Sequence, residues 1–284
     1  MTTNEKARAK LNISLDITGK LPDGFHAMRM VMQTCTLCDE LEISITEDGN
    51  FICESGLSYL PTDEKNLAVK AAKLFFEEAG ITGRGVHIIM KKQIPICAGL
   101  GGGSSDAAAV LRALNRLSNT GFPTERLEKI GASLGSDVPY CVGGKTALAE
   151  GKGEVLTKLP DMPDCHIVIC KPDFAISTPA LFGKVNLDKL KFSPDTQGII
   201  EALNNGDLVG VTRRMYNVFE DILPRKYSEV IDIKNRLLTF GAMGAVMTGT
   251  GSAAYGVFSD EEKAAAAYEK LSADYDSCFL CRTI

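Results

Sequence analysis

The sequence predicts an α+β protein of two domains, and three observations carry that prediction. Strand-type alternation and helix-type periodicity succeed each other along the chain instead of separating into blocks. A glycine-rich stretch over 95–115, PICAGLGGGSSDAAAVLRALN, joins an apolar strand to a helix. Beyond 160–164, a segment with two prolines and two aspartates, the element order becomes β-α-β-β-α-β. That is the order of a ferredoxin-like split βαβ unit. The expected division is 1–160 and 161–284.

Residues 9–18 alternate, with Ala9, Leu11, Ile13, Leu15 and Ile17 on one face and Lys10, Asn12, Ser14, Asp16 and Thr18 on the other. The pattern predicts a half-buried strand, whose plainest reading is a solvated polar face. Lys10 and Asn12 then point the same way, about 7 Å apart. Asp23-Gly24 marks a tight bend over 21–26. Leu41, Ile43 and Ile45 predict a second strand of an antiparallel meander. Asn66 opens an amphipathic helix through Leu67, Ala71, Leu74 and Phe75 that stops near Gly80.

Val86, Ile88 and Met90 predict a strand that leads through Lys91 and Lys92 into the glycine stretch. Ser104 and Ser105 suit a helix start, where a hydroxyl can accept a backbone N–H. Ala107, Val110, Leu111, Leu114 and Leu117 then recur at helical spacing. A shorter helix is expected over 124–134. Pro139 prevents its continuation and biases Val138 toward extended backbone, which leaves Asp137 in a constrained turn. Strands at 146–149 and 155–159 close the first domain. The second is expected to hold strands at 166–170, 244–248, 254–258 and 277–282, with helices at 195–217, 227–240 and 260–273.

With 284 residues, 45% hydrophobic and 24% charged, the composition is that of a globular protein rather than a disordered one. A net charge of -5 and the lack of a basic arm argue against a general nucleic-acid binder. A phosphorylated substrate, which needs only a few local cations, stays open. The first ten residues lack the apolar core of a signal peptide, and no run of about 18 apolar residues predicts a membrane span. Nine cysteines without an export signal are expected to be reduced thiols of a cytoplasmic protein.

A glycine loop that feeds a helix N-terminus aims several backbone N–H groups, and the positive end of the helix dipole, at one spot. Such a spot binds anions, phosphates above all. A Walker A loop ends in Gly-Lys-Ser/Thr, whereas here Gly103 is followed by Ser104 and Ser105. A Rossmann fingerprint fits Gly99 and Gly101 but not Ser104 in its third position, and the acid expected about 20 residues on is absent. A plain connection gives no reason for three consecutive glycines, which lose much backbone entropy on folding.

Pro95 followed by Gly101-Gly102-Gly103-Ser104-Ser105 and Ala107 resembles the phosphate loop of the GHMP small-molecule kinases. Ala9-Lys10-Leu11-Asn12, Pro22-Asp23-Gly24-Phe25-His26, Met32-Gln33-Thr34, Leu134-Gly135-Ser136-Asp137-Val138-Pro139 and Thr248-Gly249-Thr250-Gly251-Ser252 extend the resemblance over nearly the whole chain. These stretches are similar to one branch of the family, whose acceptor carries a cytidine diphosphate. The resemblance implies an N-terminal domain of the ribosomal S5 domain 2-like kind and a ferredoxin-like C-terminal domain. It implies ATP as donor, Mg2+ with ligands unassigned, and a small-molecule acceptor. That acceptor is a cytidine diphosphate-linked methylerythritol, phosphorylated on its 2-hydroxyl for isoprenoid precursor synthesis.

Residue by residue, the resemblance puts Asn66, Leu67 and Lys92 near adenine, with Asn66 and Leu67 doubling as an ordinary helix start. It puts Pro95, Gly99, Gly101, Gly102, Gly103, Ser104 and Ser105 around the phosphates. Asp137 corresponds to the aspartate that takes the acceptor's proton, and Lys10 to the lysine beside it, which keeps that carboxylate ionised and offsets phosphoryl charge. Asn12 would orient the acceptor hydroxyls. Phe25 would stack on cytosine, His26 would read its polar edge, and Phe182 would supply the opposing ring. Many members have tyrosine where this chain has Phe25, so stacking is kept and a phenol hydrogen bond is lost.

A homoserine or mevalonate kinase is the rival within the family, and Phe25-His26 speaks against it. A ligand-binding relative without turnover would be expected to lack Lys10 or Asp137. Cys35-x-x-Cys38 and Cys278-x-x-Cys281 raise a zinc site. Both pairs fall in strand patterns, where i and i+3 face opposite ways, so buried strand cysteines are expected. His87 and His166 are expected to be packing or surface residues.

Overall fold

The computed structural model describes residues 1–190 and 192–284. The chain forms two compact units that do not follow sequence order. The first is built from Met1–Ala9, Cys38–Ile94 and Gly101–Gly144, the second from Lys10–Leu37, Pro95–Leu100 and Lys145–Ile284. Two long strands, β1 (Thr2–Lys20) and β2 (His26–Thr46), contribute residues to both.

In the first unit, β3 (Phe51–Ser55) is followed by helix α1 (Leu67–Ala79) and strand β4 (Gly85–Lys91). β4 pairs antiparallel with the end of β2, from Glu40 opposite Lys91 to Thr46 opposite Gly85, and parallel with β3. Asn66 caps α1 by accepting the Ala68 N–H at 2.9 Å, and the left-handed Gly80 ends it. α2 (Gly102–Leu117), α3 (Thr124–Ala132) and α4 (Val138–Gly143) complete the unit. α1 packs on α2, and α4 on both α2 and α3. Ala68, Ala71, Ala72 and Phe75 on α1 and Ala107 and Ala108 on α2 are all fully buried.

Two expectations change here. The N-cap of α2 is Gly101, at φ 69°, a left-handed conformation that serine adopts only with strain. Ser104 and Ser105 therefore lie inside the first turn rather than capping it. Val138 is helical, not extended, because Pro139 stands in the first turn of a new helix, where its missing N–H has no intrahelical partner to lose. Asp137 is the N-cap residue of that helix.

In the second unit, β5 (Thr146–Gly151) pairs antiparallel with β2 over Met28–Gln33, and β6 (Val155–Lys158) pairs with β5. β7 (His166–Lys171) enters a separate sheet, and α5 (Thr178–Phe182), α6 (Thr196–Asn204) and α7 (Leu208–Thr212) follow. The single helix expected over 195–217 is broken, because Asp207 caps a fresh start by accepting the Gly210 N–H at 2.9 Å. The stretch then ends in a short strand, β8 (Tyr216–Asn217), parallel to β1 at Ser14 and Leu15. α8 (Glu229–Thr239), β9 (Gly244–Met247), β10 (Ala254–Phe258), α9 (Glu261–Ser272) and β11 (Ser277–Arg282) finish the chain.

The second sheet has the order β11-β7-β10-β9, antiparallel throughout, with α8 and α9 packed on it. That is the split βαβ arrangement expected for the second half. The protein is α+β. No helix among the described residues is long and apolar enough to cross a membrane.

The expectation that β1 is half-buried is not met. Lys10, Asn12, Ser14 and Asp16 are all buried, as is the apolar face. A strand covered on both sides can keep polar residues only if they are hydrogen-bonded, and the partners define the site below. The cysteines of the two C-x-x-C segments are buried free thiols in strands. Cys278 lies opposite Cys170 in the β7–β11 register, whereas Cys281 meets Cys35, so i and i+3 do go to different neighbours. His87, half-buried on β4, pairs with Glu54 at 3.0 Å, and His166 is buried at the start of β7.

Candidate active site

The second unit assembles a polar network around Asn12, a fully buried residue of β1. Its Oδ1 accepts the Lys10 ammonium at 2.8 Å and the Gly249 N–H at 3.0 Å. Its own N–H donates to Thr248 Oγ1 at 3.2 Å, and its carbonyl accepts Tyr255 OH at 2.9 Å. Asn12 Nδ2 donates to Met30 Sδ at 3.4 Å, a weak acceptor. In this arrangement Asn12 orients Lys10.

The same network grips the glycine loop. Thr248 Oγ1 donates to Gly99 O at 3.2 Å, and Ala253 N to Ala98 O at 3.2 Å. Lys10 N donates to Leu100 O at 3.0 Å. A Cβ on Gly99 would lie 2.1 Å from Thr248 O, at a φ of 77°. Backbone approaches so closely there that only glycine fits. Asn217 Nδ2 ties the Thr248 turn from behind, donating to Met247 O at 2.7 Å and Gly249 O at 2.8 Å. Thr248, Asn217 and Tyr255 are residues that sequence reasoning did not assign. The Thr248–Ser252 motif was the one available signal.

In the first unit the loop passes into α2. Helix geometry leaves the N–H groups of Gly102, Gly103 and Ser104 without intrahelical acceptors, which supplies the anion-binding capacity expected of this stretch. Leu67 Cδ1 lies 3.6 Å from where a Gly103 Cβ would stand. Asn66 is engaged with its own helix start and with Pro61 O at 2.9 Å.

Lys92 is an ion-pair centre. Its ammonium, on a side chain 5% exposed, donates to Asp39 Oδ2 and, at 2.6 Å, to Asp106 Oδ2. Burial pushes the Asp106 carboxyl up to about 7; Lys92 opposes that shift, and Asp39 adds to it. Burial disfavours the Lys92 ammonium, yet the two carboxylates raise its pKa above the usual lysine value.

Asp137 heads α4, where its backbone carbonyl accepts the Cys141 N–H at 3.1 Å. Close packing of Gly131 on Val138, where a Cβ would meet Val138 Cγ1 at 2.8 Å, fixes that turn. Ser105 Oγ donates to Arg8 O at 2.6 Å, and Asp106 is paired with Lys92. Asp106 uses only Oδ2 for that pair, and its Oδ1 is buried without a hydrogen-bond partner; with Ser105 Oγ it is an oxygen donor of the kind magnesium takes.

A third group lies in the second unit. His26 and Phe182, 156 positions apart in sequence, stack with centroids 5.2 Å apart and planes tilted 35°. Phe219 supports Phe182 edge-on at 4.9 Å. His26 Nε2 is buried without a hydrogen-bond partner, and burial lowers the His26 pKa, with Lys20 adding to the shift. The ring is therefore neutral near pH 7, with one donor and one acceptor nitrogen. Phe25 is 61% exposed, and the Lys152 ammonium sits 4.4 Å from its centroid. Lys152 also pairs with Asp23 at 2.5 Å, and Asp23 accepts the Phe25 N–H at 3.1 Å.

The chain carries the model segments for the GHMP kinases N terminal domain at residues 66–145 and GHMP kinases C terminal at residues 199–277. It is 43% identical over 279 residues to the 4-diphosphocytidyl-2-C-methyl-D-erythritol kinase of Clostridium beijerinckii, covering 98% of this chain and 99% of that one. The enzyme of that name from Alkaliphilus oremlandii is 40% identical, with 98% and 95% covered. A crystal structure of 4-(cytidine 5'-diphospho)-2C-methyl-D-erythritol kinase matches with a TM-score of 0.84 at 31% identity, over 99% of each chain. A homoserine kinase from Cytophaga hutchinsonii shares the fold, with a TM-score of 0.76 at 20% identity over 100% and 94%. The chain belongs to the GHMP kinases and, within them, to the family of the 4-diphosphocytidyl-2-C-methyl-D-erythritol kinases.

Proposed function

We propose that the chain transfers the terminal phosphoryl group of ATP to the 2-hydroxyl of 4-diphosphocytidyl-2-C-methyl-D-erythritol, a step of non-mevalonate isoprenoid precursor synthesis. The observation that carries the acceptor is His26: a buried, unpartnered Nε2 on a neutral ring stacked with Phe182. An unmatched buried polar atom is costly, and a heterocyclic base with a polar edge satisfies it. Phe25 and Phe182 stack on the base, which is worth about 1–3 kcal/mol per aromatic contact.

Phosphoryl transfer asks a protein chiefly for positioning and charge stabilisation. The backbone N–H groups over 99–105 cradle the phosphates, and Lys10 offsets charge that develops on the transferred group. Asp137 orients the acceptor hydroxyl and receives its proton late in the transfer. Asn12 acts on the acceptor hydroxyls as well as on Lys10. Asn66, Leu67 and Lys92 border the adenine, and Pro95 and Ser104 the phosphates. Magnesium accompanies ATP as a charge-neutralising ion, and no step here is assigned to it. The segments 1–160 and 161–284 correspond to the two family modules, and the enzyme works in the cytoplasm.

A coupled assay of ADP release with the cytidyl substrate, run beside homoserine and mevalonate, tests the reading. Turnover is expected with the first alone, and none with it would sink the assignment. Asp137→Ala should lower kcat by about 10²–10⁴-fold while ATP binding, followed by calorimetry, is kept.

A further inference from the structure

Three buried charged side chains cluster where the chain leaves β4 and where α2 begins, in a place where apolar packing would serve stability as well or better. Asp39 of β2 is fully buried, Asp106 of α2 is 4% exposed, and Lys92 lies just past β4. Their connections are directional. Asp39 Oδ1 accepts the Gln93 N–H at 2.6 Å and the Ile94 N–H at 2.8 Å, the last two amides before Pro95. Asp39 Oδ2 takes the Lys92 ammonium, which also reaches Asp106 Oδ2, one turn into α2. Above the pair, a Cβ on Gly102 would meet Ile94 Cγ2 at 3.1 Å and Lys92 Nζ at 3.5 Å. The strand exit and the helix start are thus in contact, and the loop is pinched shut at its base.

We propose that Asp39, Lys92 and Asp106 form a positioning clamp that fixes the spacing between the two ends of the glycine loop and so pre-organises its N–H groups for the phosphates of ATP. This rests on the reading of that loop as the ATP site. A glycine-rich loop samples many backbone states, and a ligand must meet the entropy of ordering it unless something else already has. Hydrophobic contacts resist separation but hold no register. The two amide bonds and the shared ammonium define direction as well as distance. Asp39 and Asp106 act through backbone and through Lys92, so they are positioning residues rather than catalytic ones. The charge count is one cation against two acids, and burial answers the excess by raising the affinity of Asp106 for its proton.

The test uses Asp39→Asn, which keeps an acceptor for the two amides and removes the charge, and Asp106→Asn. ATP affinity is measured by calorimetry, KM for each substrate by the coupled assay, and folding by thermal unfolding. Asp39→Asn is expected to raise both Kd and KM for ATP about ten-fold and to leave KM for the cytidyl substrate within two-fold. Asp106→Asn should shift the same constants in the same direction by less. Hydrogen exchange of the amides over 96–102 should quicken in both variants, whereas exchange in α1 should not. Unchanged ATP affinity in a folded variant overturns the clamp, as does a parallel rise in both KM values. If both variants fail to fold, the cluster supports the whole unit rather than the loop, and the proposal falls. Wild-type protein that does not bind ATP at all would count against the functional reading instead.

Discussion

Lys10 and Lys92 are both withdrawn from solvent, one in each unit, and the chemistry around them differs. Lys10 donates to the neutral amide oxygen of Asn12, which a backbone N–H from Gly249 holds in place. Lys92 donates to two carboxylates. An amide oxygen aims an ammonium, and two carboxylates more than cancel the charge of one. The first arrangement suits a cation that must act on an anionic substrate. The second suits one that holds protein segments together. A buried lysine is thus not one kind of residue, and its acceptors decide which kind it is.

The largest way to break this contrast is Lys92→Met, which leaves two buried carboxylates facing each other. Removing one partner of a buried pair costs about 3–5 kcal/mol. Urea unfolding should register that loss, and adding Asp106→Asn should recover part of it. Wild-type stability in the single variant would show that the carboxylates do not depend on Lys92. Next comes Lys10→Met, for which kcat should fall by about 10²–10³-fold with ATP affinity largely kept. If steady-state kinetics show a change in KM for ATP and none in kcat, Lys10 belongs with Lys92 and the distinction collapses.

Phe182→Ala sharpens the comparison from the acceptor side. KM for the cytidyl substrate should rise by roughly 1–3 kcal/mol of lost stacking, with KM for ATP unchanged; the reverse pattern would remove Phe182 from the acceptor side. The smallest effect, near neutral pH, is the titration of Asp106. Lys92, Asp39 and Cys53 are the titratable groups acting on it, from the β4 exit, β2 and β3. Its carboxyl is raised from 3.8 in the unfolded chain to about 7 in the fold. Between those values the folded state holds the proton more tightly, so this group makes stability fall as pH rises from about 4 to about 7. Above that the contribution levels off. Asp106→Asn should flatten the profile followed by thermal unfolding, and an unchanged slope would assign it to another group.

Local pattern made most elements legible. Asn66 and Gly80 bracket α1 in both the sequence and the structure, because a cap and a left-handed stop are properties of a few adjacent residues. The split βαβ order was readable for the same reason. The errors arose where a distant neighbour overrode a local preference. The polar face of β1 carries no mark of what covers it, so the alternation predicts a half-buried strand, whereas Lys10, Asn12, Ser14 and Asp16 are buried as well. Ser104 and Ser105 read as caps, yet the left-handed turn at Gly101 starts the helix earlier. Pro139 was seen to stop one helix but not to open another.

By itself the sequence determined the glycine loop, the helix that follows it and the residue types able to move a phosphoryl group. Loop flexibility, helical period and side-chain chemistry are local properties, carried by the residues that express them. Only the tertiary structure decided which polar groups meet. Asn12 finds Gly249 across 237 positions, and Lys92 finds Asp39 across 53. Those distances are closed by strand register and core packing, which no window of sequence contains. A buried polar group must be matched wherever the fold puts it, and the matching is what turned a row of alternating residues into a site.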